Sequence, residues 1–189
     1  LNQASNRAVI NWNTFNVGSQ AVVNFLQPDQ RSVALNRVLQ SDPSQIYGQI
    51  NANGQVYLVN PAGVYFAPGA SVNVGGIVAT THQMADADFM AGGTRFSRNG
   101  ATGSVINEGN IQAGLGGYIA MLAPEVRNSG VLVAQSGTVA LAAGERITLN
   151  FAAANGGQSK LDSLTVTAAQ MDTLVENRQA VRAPNRSEE

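Results

Sequence analysis

His82 is the chain's one histidine, and the 189 residues contain no cysteine. A Ser-His-Asp arrangement would have to be built around this single imidazole, and no Gly-x-Ser-x-Gly turn is present to present a serine to it. Thiolate nucleophiles, disulfides and Cys-based metal sites are excluded by composition. His82 therefore reads as a solvated loop histidine. Asp86 and Asp88 form the one close pair of acids in the surrounding segment, and paired carboxylates cleave glycosidic bonds. Two acids separated by one loop residue are more simply two solvated side chains. Arg95 and Arg98 flank Phe96, a pattern that could stack a single-stranded base between cations. With a formal net charge of −1 and no basic run, it reads as a solvated loop face, and nucleic-acid binding is not expected. Neither a phosphate-cradling Gly-x-x-x-x-Gly-Lys loop nor a Gly-Gly-x-Gly-x-Asp calcium repeat occurs. No catalytic residue, metal or cofactor is assigned. Two polar clusters remain, Asn36-Arg37-Val38 and Asn60-Pro61-Ala62-Gly63. The second lies between apolar runs at 55–59 and 64–66, where Asn and Pro ahead of Gly specify a tight turn on backbone grounds alone.

The elements that hold these residues follow from texture and period. Charged residues make up 12% of the chain, hydrophobic residues 44%, and there are 20 glycines. Apolar residues come in runs of four to six bounded by Gly, Asn, Ser or Pro, the pattern of short strands. No apolar stretch is long enough for a membrane-spanning helix, and membrane insertion is not expected. An internal repeat organises the strands. Asn107-Glu108-Gly109-Asn110-Ile111-Gln112-Ala113 returns as Asn128-Ser129-Gly130-Val131-Leu132-Val133-Ala134, and Gly117-Tyr118-Ile119-Ala120-Met121-Leu122-Ala123 returns as Gly137-Thr138-Val139-Ala140-Leu141-Ala142-Ala143. A weaker echo links Gly54–Val59 to Gly75–Thr80. A period near twenty with no room for a helix makes each unit one coil of three strands and three turns, and coils stack at about 4.8 Å.

The expected fold is therefore all-β, a right-handed parallel β-helix, the hand following the preference of parallel crossovers. Ile119, Met121, Val139 and Leu141 should stack inward, and Asn107 should stack on Asn128. Glycines 54, 63, 75, 109, 117, 130 and 137 fit turns that need positive φ or close backbone approach. One domain spans 1–189. Residues 1–45 show no clear period and read as an N-terminal cap with the first strands. Residues 46–160 carry the coils, with an excursion at 81–100. Residues 161–189 read as a short helix and a flexible tail, since Thr167-x-x-Gln170 resembles a capping box ahead of Met171, Leu174 and Val175.

The segments Ile10-Asn11-Trp12-Asn13-Thr14-Phe15-Asn16-Val17-Gly18, Ala34-Leu35-Asn36-Arg37-Val38, Ser44-Gln45-Ile46-Tyr47-Gly48 and Asn53 through Val64 together resemble the two-partner secretion (TPS) domain of the filamentous haemagglutinin family, in the branch of the high-molecular-weight adhesins. The resemblance runs from about Asn6 to Phe151 in unbroken order. It implies a right-handed parallel β-helix with extra-helical strands. It further implies the N-terminal secretion and folding-nucleation domain of a large TpsA exoprotein, recognised by an outer-membrane TpsB β-barrel transporter with periplasmic POTRA domains. The product would be secreted or held at the surface of a Gram-negative cell, and the domain would be monomeric. By the resemblance, Asn36, Arg37, Val38, Asn60, Pro61 and Gly63 fall on the family's recognition and folding motifs. Ala62 stands where the family usually has Asn, and Leu1 would begin inside the domain, after a missing first strand. The competing reading is a carbohydrate-active β-helix enzyme. It would need acids gathered on one outward face, where the repeats instead show Thr, Ala, Gln and Ser.

Overall fold

The computed structural model describes residues 1–152, 160–168, 173–179 and 181–182. Its strands fall into successive coils. β1 (Arg7–Trp12) and β2 (Val22–Phe25) form the first, and β3 (Val33–Val38), β4 (Ser44–Ile46) and β5 (Gln49–Ala52) the second. β6 (Gln55–Val59), β7 (Val64–Phe66) and β8 (Ser71–Val74) form the third. The fourth starts with β9 (Gly76–Thr80), detours through helix α1 (Asp86–Met90) and β10 (Arg95–Ser97), and resumes with β11 (Ser104–Asn107) and β12 (Asn110–Ala113). β13 (Tyr118–Leu122), β14 (Glu125–Asn128) and β15 (Val131–Ala134) make the fifth. The sixth is β16 (Thr138–Ala142), a second detour through β17 (Arg146–Phe151) and β18 (Leu161–Thr167), then β19 (Leu174–Asn177) and β20 (Val181–Arg182).

Stacking these coils produces three parallel sheets, ordered β1-β3-β6-β9-β13-β16, β4-β7-β11-β14-β19 and β2-β5-β8-β12-β15-β20. This is the expected β-helix. In the first coil an isolated parallel bridge from Val17 to Ile46 supplies the visit to the second sheet. The register bears out the repeat: Val56, Ile77, Ile119 and Val139 stack in one inward column, and Leu58, Ala79, Met121 and Leu141 in the next. These columns and their equivalents on the other two sheets form one dry core. Asn107 donates to Asn128 at 2.8 Å, and Asn128 donates to Asn177 at 2.7 Å, so the Asn ladder extends one coil further than anticipated.

The glycines act mostly through close approach. A Cβ on Gly75 would lie 2.7 Å from the Gly54 carbonyl oxygen, one on Gly117 would lie 2.0 Å from that of Gly75, and one on Gly137 would lie 1.9 Å from that of Gly117. Four successive coils thus touch backbone to backbone at one corner. Gly63, with φ of 130°, is the predicted turn glycine that does adopt a left-handed conformation.

Three expectations need correction. Residues 1–45 do hold the expected first strands, but these pair in the coil sheets, so the coils begin at β1 rather than at residue 46. The excursion at 81–100 is not a free loop, and β17 is not a coil strand. Both detours leave from the corner after the first sheet, and β10, β17 and β18 join as an antiparallel sheet outside the coils. Together with α1 this sheet covers the outer face of the first sheet and buries a second apolar core, with Leu35, Tyr57, Val78, Tyr118 and Leu122 from the coils against Phe89, Phe96, Ile147 and Leu149 from the detours. The first sheet is thereby covered on both sides, which is why β9 and β13 are buried along their whole length. Finally, Leu174 and Val175 lie in strand β19, paired in register with β14, and not in a helix. Gln170, Met171 and the tail 185–189 lie outside the described residues.

Candidate functional site

Strand alternation decides where the first polar cluster points. Ala34 and Val38 face the inner core and Leu35 the outer one, so Asn36 faces inward and Arg37 outward. Asn36 occupies the column that continues as Leu58, Ala79, Met121 and Leu141, and it is fully buried. An amide in an apolar column must find partners. The Trp12 indole donates to Asn36 Oδ1 at 3.0 Å, and Asn36 Nδ2 lies 3.2 Å from the Ala34 carbonyl and 3.3 Å from that of Tyr57. The partner Trp12 was not singled out from sequence, although it lies one coil before Val38 in register.

Arg37 points to the first detour. Its guanidinium donates to the Met84 carbonyl at 2.7 Å and pairs with the Asp86 carboxylate, leaving the Arg37 side chain 20% exposed. It ties α1 down onto the outer face of the coils. Val38 is buried in the inner core.

The second cluster sits one coil on, at the same corner, because β3 and β6 are in register through Arg37 and Val59. Asn60 is fully buried. Its Oδ1 accepts from the Ala62 backbone N–H at 3.0 Å, closing an Asx-turn, and its own carbonyl accepts from the Gly63 N–H at 2.9 Å. Its Nδ2 reaches back to the previous coil, donating to the Asp42 carbonyl at 2.9 Å and to Ser44 Oγ at 3.0 Å, while its N–H donates forward to the Thr80 carbonyl at 2.9 Å. One residue thus joins three coils, its side chain reaching back and its backbone N–H forward. Pro61 and Ala62 are half-buried at the rim. A Cβ on Gly63 would lie 3.0 Å from the Ser104 carbonyl oxygen. The structure therefore brings Asn36, Arg37, Val38, Asn60, Pro61 and Gly63 to one corner of consecutive coils, the corner from which both detours depart.

The other candidates resolve differently. His82 is not a solvated loop residue: it is fully buried at the root of the first detour, with Nε2 2.7 Å from the Gly144 carbonyl at the root of the second. Desolvation pushes its pKa down and the nearby Arg98 charge adds to this, against the opposing pull of the Gly144 carbonyl and Glu145. Nδ1 has no hydrogen-bond partner. Phe96 is fully buried in the outer core, which removes it as a stacking platform, and Arg98 pairs with Glu145 at 3.2 Å. Asp86 and Asp88 lie in the first turn of α1 beside an open cleft of about 680 Å³ that also holds Arg37, Arg95 and Arg146. No metal-ligating group of three or more His, Asp or Glu occurs among the described residues.

The family model of the TPS secretion domain matches residues 2–183. The chain belongs to the TPS secretion-domain family. Superposition agrees: the crystal structure of the HMW1 secretion domain from Haemophilus influenzae matches with a TM-score of 0.85 and 28% identity, over 96% of this chain and 50% of that one. Two heme/hemopexin-binding proteins of Haemophilus influenzae, one from strain Rd, are 39% and 40% identical over 109 and 113 residues. Those alignments cover 58% and 59% of this chain but 12% of the relatives, so this chain spans only a small part of those relatives' length. A TPS domain is the secretion domain of an exoprotein, its general partner is a TpsB transporter, and its route runs through the periplasm of a Gram-negative cell. The family is one of secretion domains rather than enzymes, which favours this reading over carbohydrate cleavage.

Proposed function

We propose that this domain is the N-terminal part of a large exoprotein, that its partner outer-membrane transporter engages it through POTRA domains in the periplasm, and that it nucleates folding of the coils as they emerge. The exoprotein is then secreted or displayed at the cell surface, and the domain acts as a monomer. The observation that carries the site assignment is the convergence of Asn36-Arg37-Val38 and Asn60-Pro61-Ala62-Gly63 on one corner of adjoining coils. The burial of Asn36 and Asn60 refines it. A transporter can read these two amides only while the chain is unfolded, and after folding the same amides fasten one coil to the next. A cysteine-free, nearly neutral chain suits passage in an unfolded form, and stacking each coil on the last makes folding outside directional without a nucleotide.

The test is secretion. The domain is expressed with a signal peptide in cells with and without its transporter, beside an Asn60→Ala variant, and its appearance in the medium is measured. Transporter-dependent release that Asn60→Ala loses is the expected result. Equal release of both proteins would restrict Asn60 to the folded state, and release without the transporter would overturn the secretion reading.

A further inference from the structure

The outer core is not filled at the end nearest the first coils. A cavity of about 480 Å³ opens there between the first sheet and the extra-helical strands, within the range of roughly 300–1,000 Å³ that ligand pockets occupy. Its composition is divided. Val33, Leu149 and Phe151 give it apolar walls, whereas Arg7 and Arg31 bring two positive charges, and among the described residues no acid lines it. Neither arginine forms an ion pair among the described residues, where Arg37, Arg98, Arg127 and Arg178 all do, although the Asp29 carboxylate, which accepts the Arg31 backbone N–H at 2.8 Å, lies close enough for the two charges to interact. Arg7 is held in place: Nη1 donates to the Phe89 carbonyl at 2.8 Å and the guanidinium lies 4.9 Å over the Phe89 ring. That uses one of its five N–H donors and leaves its charge uncompensated.

The polar wall is oriented as well. Tyr118 donates to Gln55 Oε1 at 2.6 Å, and the Tyr57 and Tyr118 hydroxyls lie 3.0 Å apart. With Tyr118 committed to Gln55, Tyr57 is the donor of the second bond. Gln55 has its amide oxygen occupied, so what it offers the cavity is Nε2, a donor. The cavity lining therefore combines cations and donors with hydrocarbon.

We propose that this cavity binds a small organic carboxylate with an apolar body, its carboxylate held by Arg7 and Arg31 and its hydrocarbon against Val33, Leu149 and Phe151. Arginine is the side chain suited to such a group, because its planar fork meets both oxygens of a carboxylate. This site is independent of the secretion reading, and its failure would leave that reading untouched.

The probe is octanoate, with 1-octanol as the neutral control, titrated into the folded domain by calorimetry and by amide chemical shifts. Octanoate is expected to bind saturably at one site, shifting the amides of Val33, Tyr57 and Leu149, with octanol at least about tenfold weaker. Arg31→Gln removes a charge from an exposed residue that forms no ion pair among the described residues and leaves Arg7 on Phe89. It should weaken octanoate by about tenfold, the scale of one charge-assisted hydrogen bond, and leave octanol unchanged. An unaltered melting temperature would show the variant folded. Absence of saturable binding, equal affinity for octanol, or octanoate binding indifferent to Arg31→Gln would each overturn the proposal and leave the cavity as an unfilled end of the outer core.

Discussion

Asn36 shows what one polar residue costs and contributes inside an apolar column. Asn36→Ala would leave the Trp12 indole N–H without its acceptor and open space beside Leu58, and an unsatisfied buried donor alone costs about 1–3 kcal/mol. The urea midpoint should fall accordingly, with the slope of the transition unchanged; a midpoint equal to the parent's would show that Trp12 finds another partner. His82 predicts a pH dependence. In the folded chain Nε2–H donates to Gly144, so protonation would place a charged N–H at the buried Nδ1, which makes no hydrogen bond in this structure. The folded pKa is depressed below the ordinary 6.5, so the unfolded state binds the proton more readily. The stability contributed by neutral His82 is therefore present in full above about pH 6.5 and lost as the pH falls below it. Glu145 and Arg98 are the charged groups that act on the ring, with opposite signs. Because the chain has one histidine, unfolding free energies measured between pH 7 and pH 5 should slope downward in the parent and lose that histidine component in His82→Leu. Identical slopes would remove His82 as the source. The sequence did not disclose this burial, since the residue that encloses His82 lies 62 positions away in the second detour.

At the scale of elements, the coils were legible and the detours only partly so. Repetition made the coils visible: Val105-Ile106-Asn107 and Val126-Arg127-Asn128 are 21 residues apart and pair in register. The same signal continues at Val175-Glu176-Asn177, 49 residues beyond, and a reading that followed it would have assigned a strand where a capping box suggested a helix. The local preference of Thr167-x-x-Gln170 lost to pairing with β14, as tertiary context overrides propensity. Burial on both faces of the first sheet also left a mark, because Val56–Val59 and Ile77–Ala79 are continuous apolar runs rather than alternating ones. What covers the outer face could not be read, since the antiparallel pairing of β10 with β17 joins segments about 50 residues apart with no shared period. The site was legible as one turn and a strand end; that Asn36 faces inward came from the register. Phe89 tests the covering role: it is fully buried beneath the first detour, against Tyr57 at 6.0 Å between ring centroids. Phe89→Ala should destabilise the domain by about 3–5 kcal/mol, read from the denaturant midpoint, and expose the 81–100 segment to proteolysis. A loss below about 1 kcal/mol would mean that the detour is not an integral part of the fold.

For the whole molecule the question is whether six stacked coils behave as a chain of neighbours or as one unit. Solenoid stability is a sum of coil and interface terms, so a weakened interface should allow one end to melt alone. Here the outer core counters that independence. It ties Val33 of the second coil to Ala142 of the sixth through the detours, and Arg7 and Arg37 anchor α1 to the first two coils. Gly117→Ala places the fault between the fourth and fifth coils, where β9 is paired with β13, because its Cβ would sit 2.0 Å from the Gly75 carbonyl oxygen and the backbone must move apart. Gly18→Ala is the control, since nothing lies within 4 Å of the added atom. If the outer core makes the domain cooperative, calorimetry should give a single transition for parent and both variants. Gly117→Ala should melt lower by about 10 °C, as a loss of about 4 kcal/mol implies for a domain of this size, while Gly18→Ala should match the parent. Two resolved transitions in Gly117→Ala would show that the coils on either side fold separately. A single transition would mean that β18, which ends at Thr167, belongs to the same cooperative unit, so the domain reaches its full stability only when nearly all of it has folded.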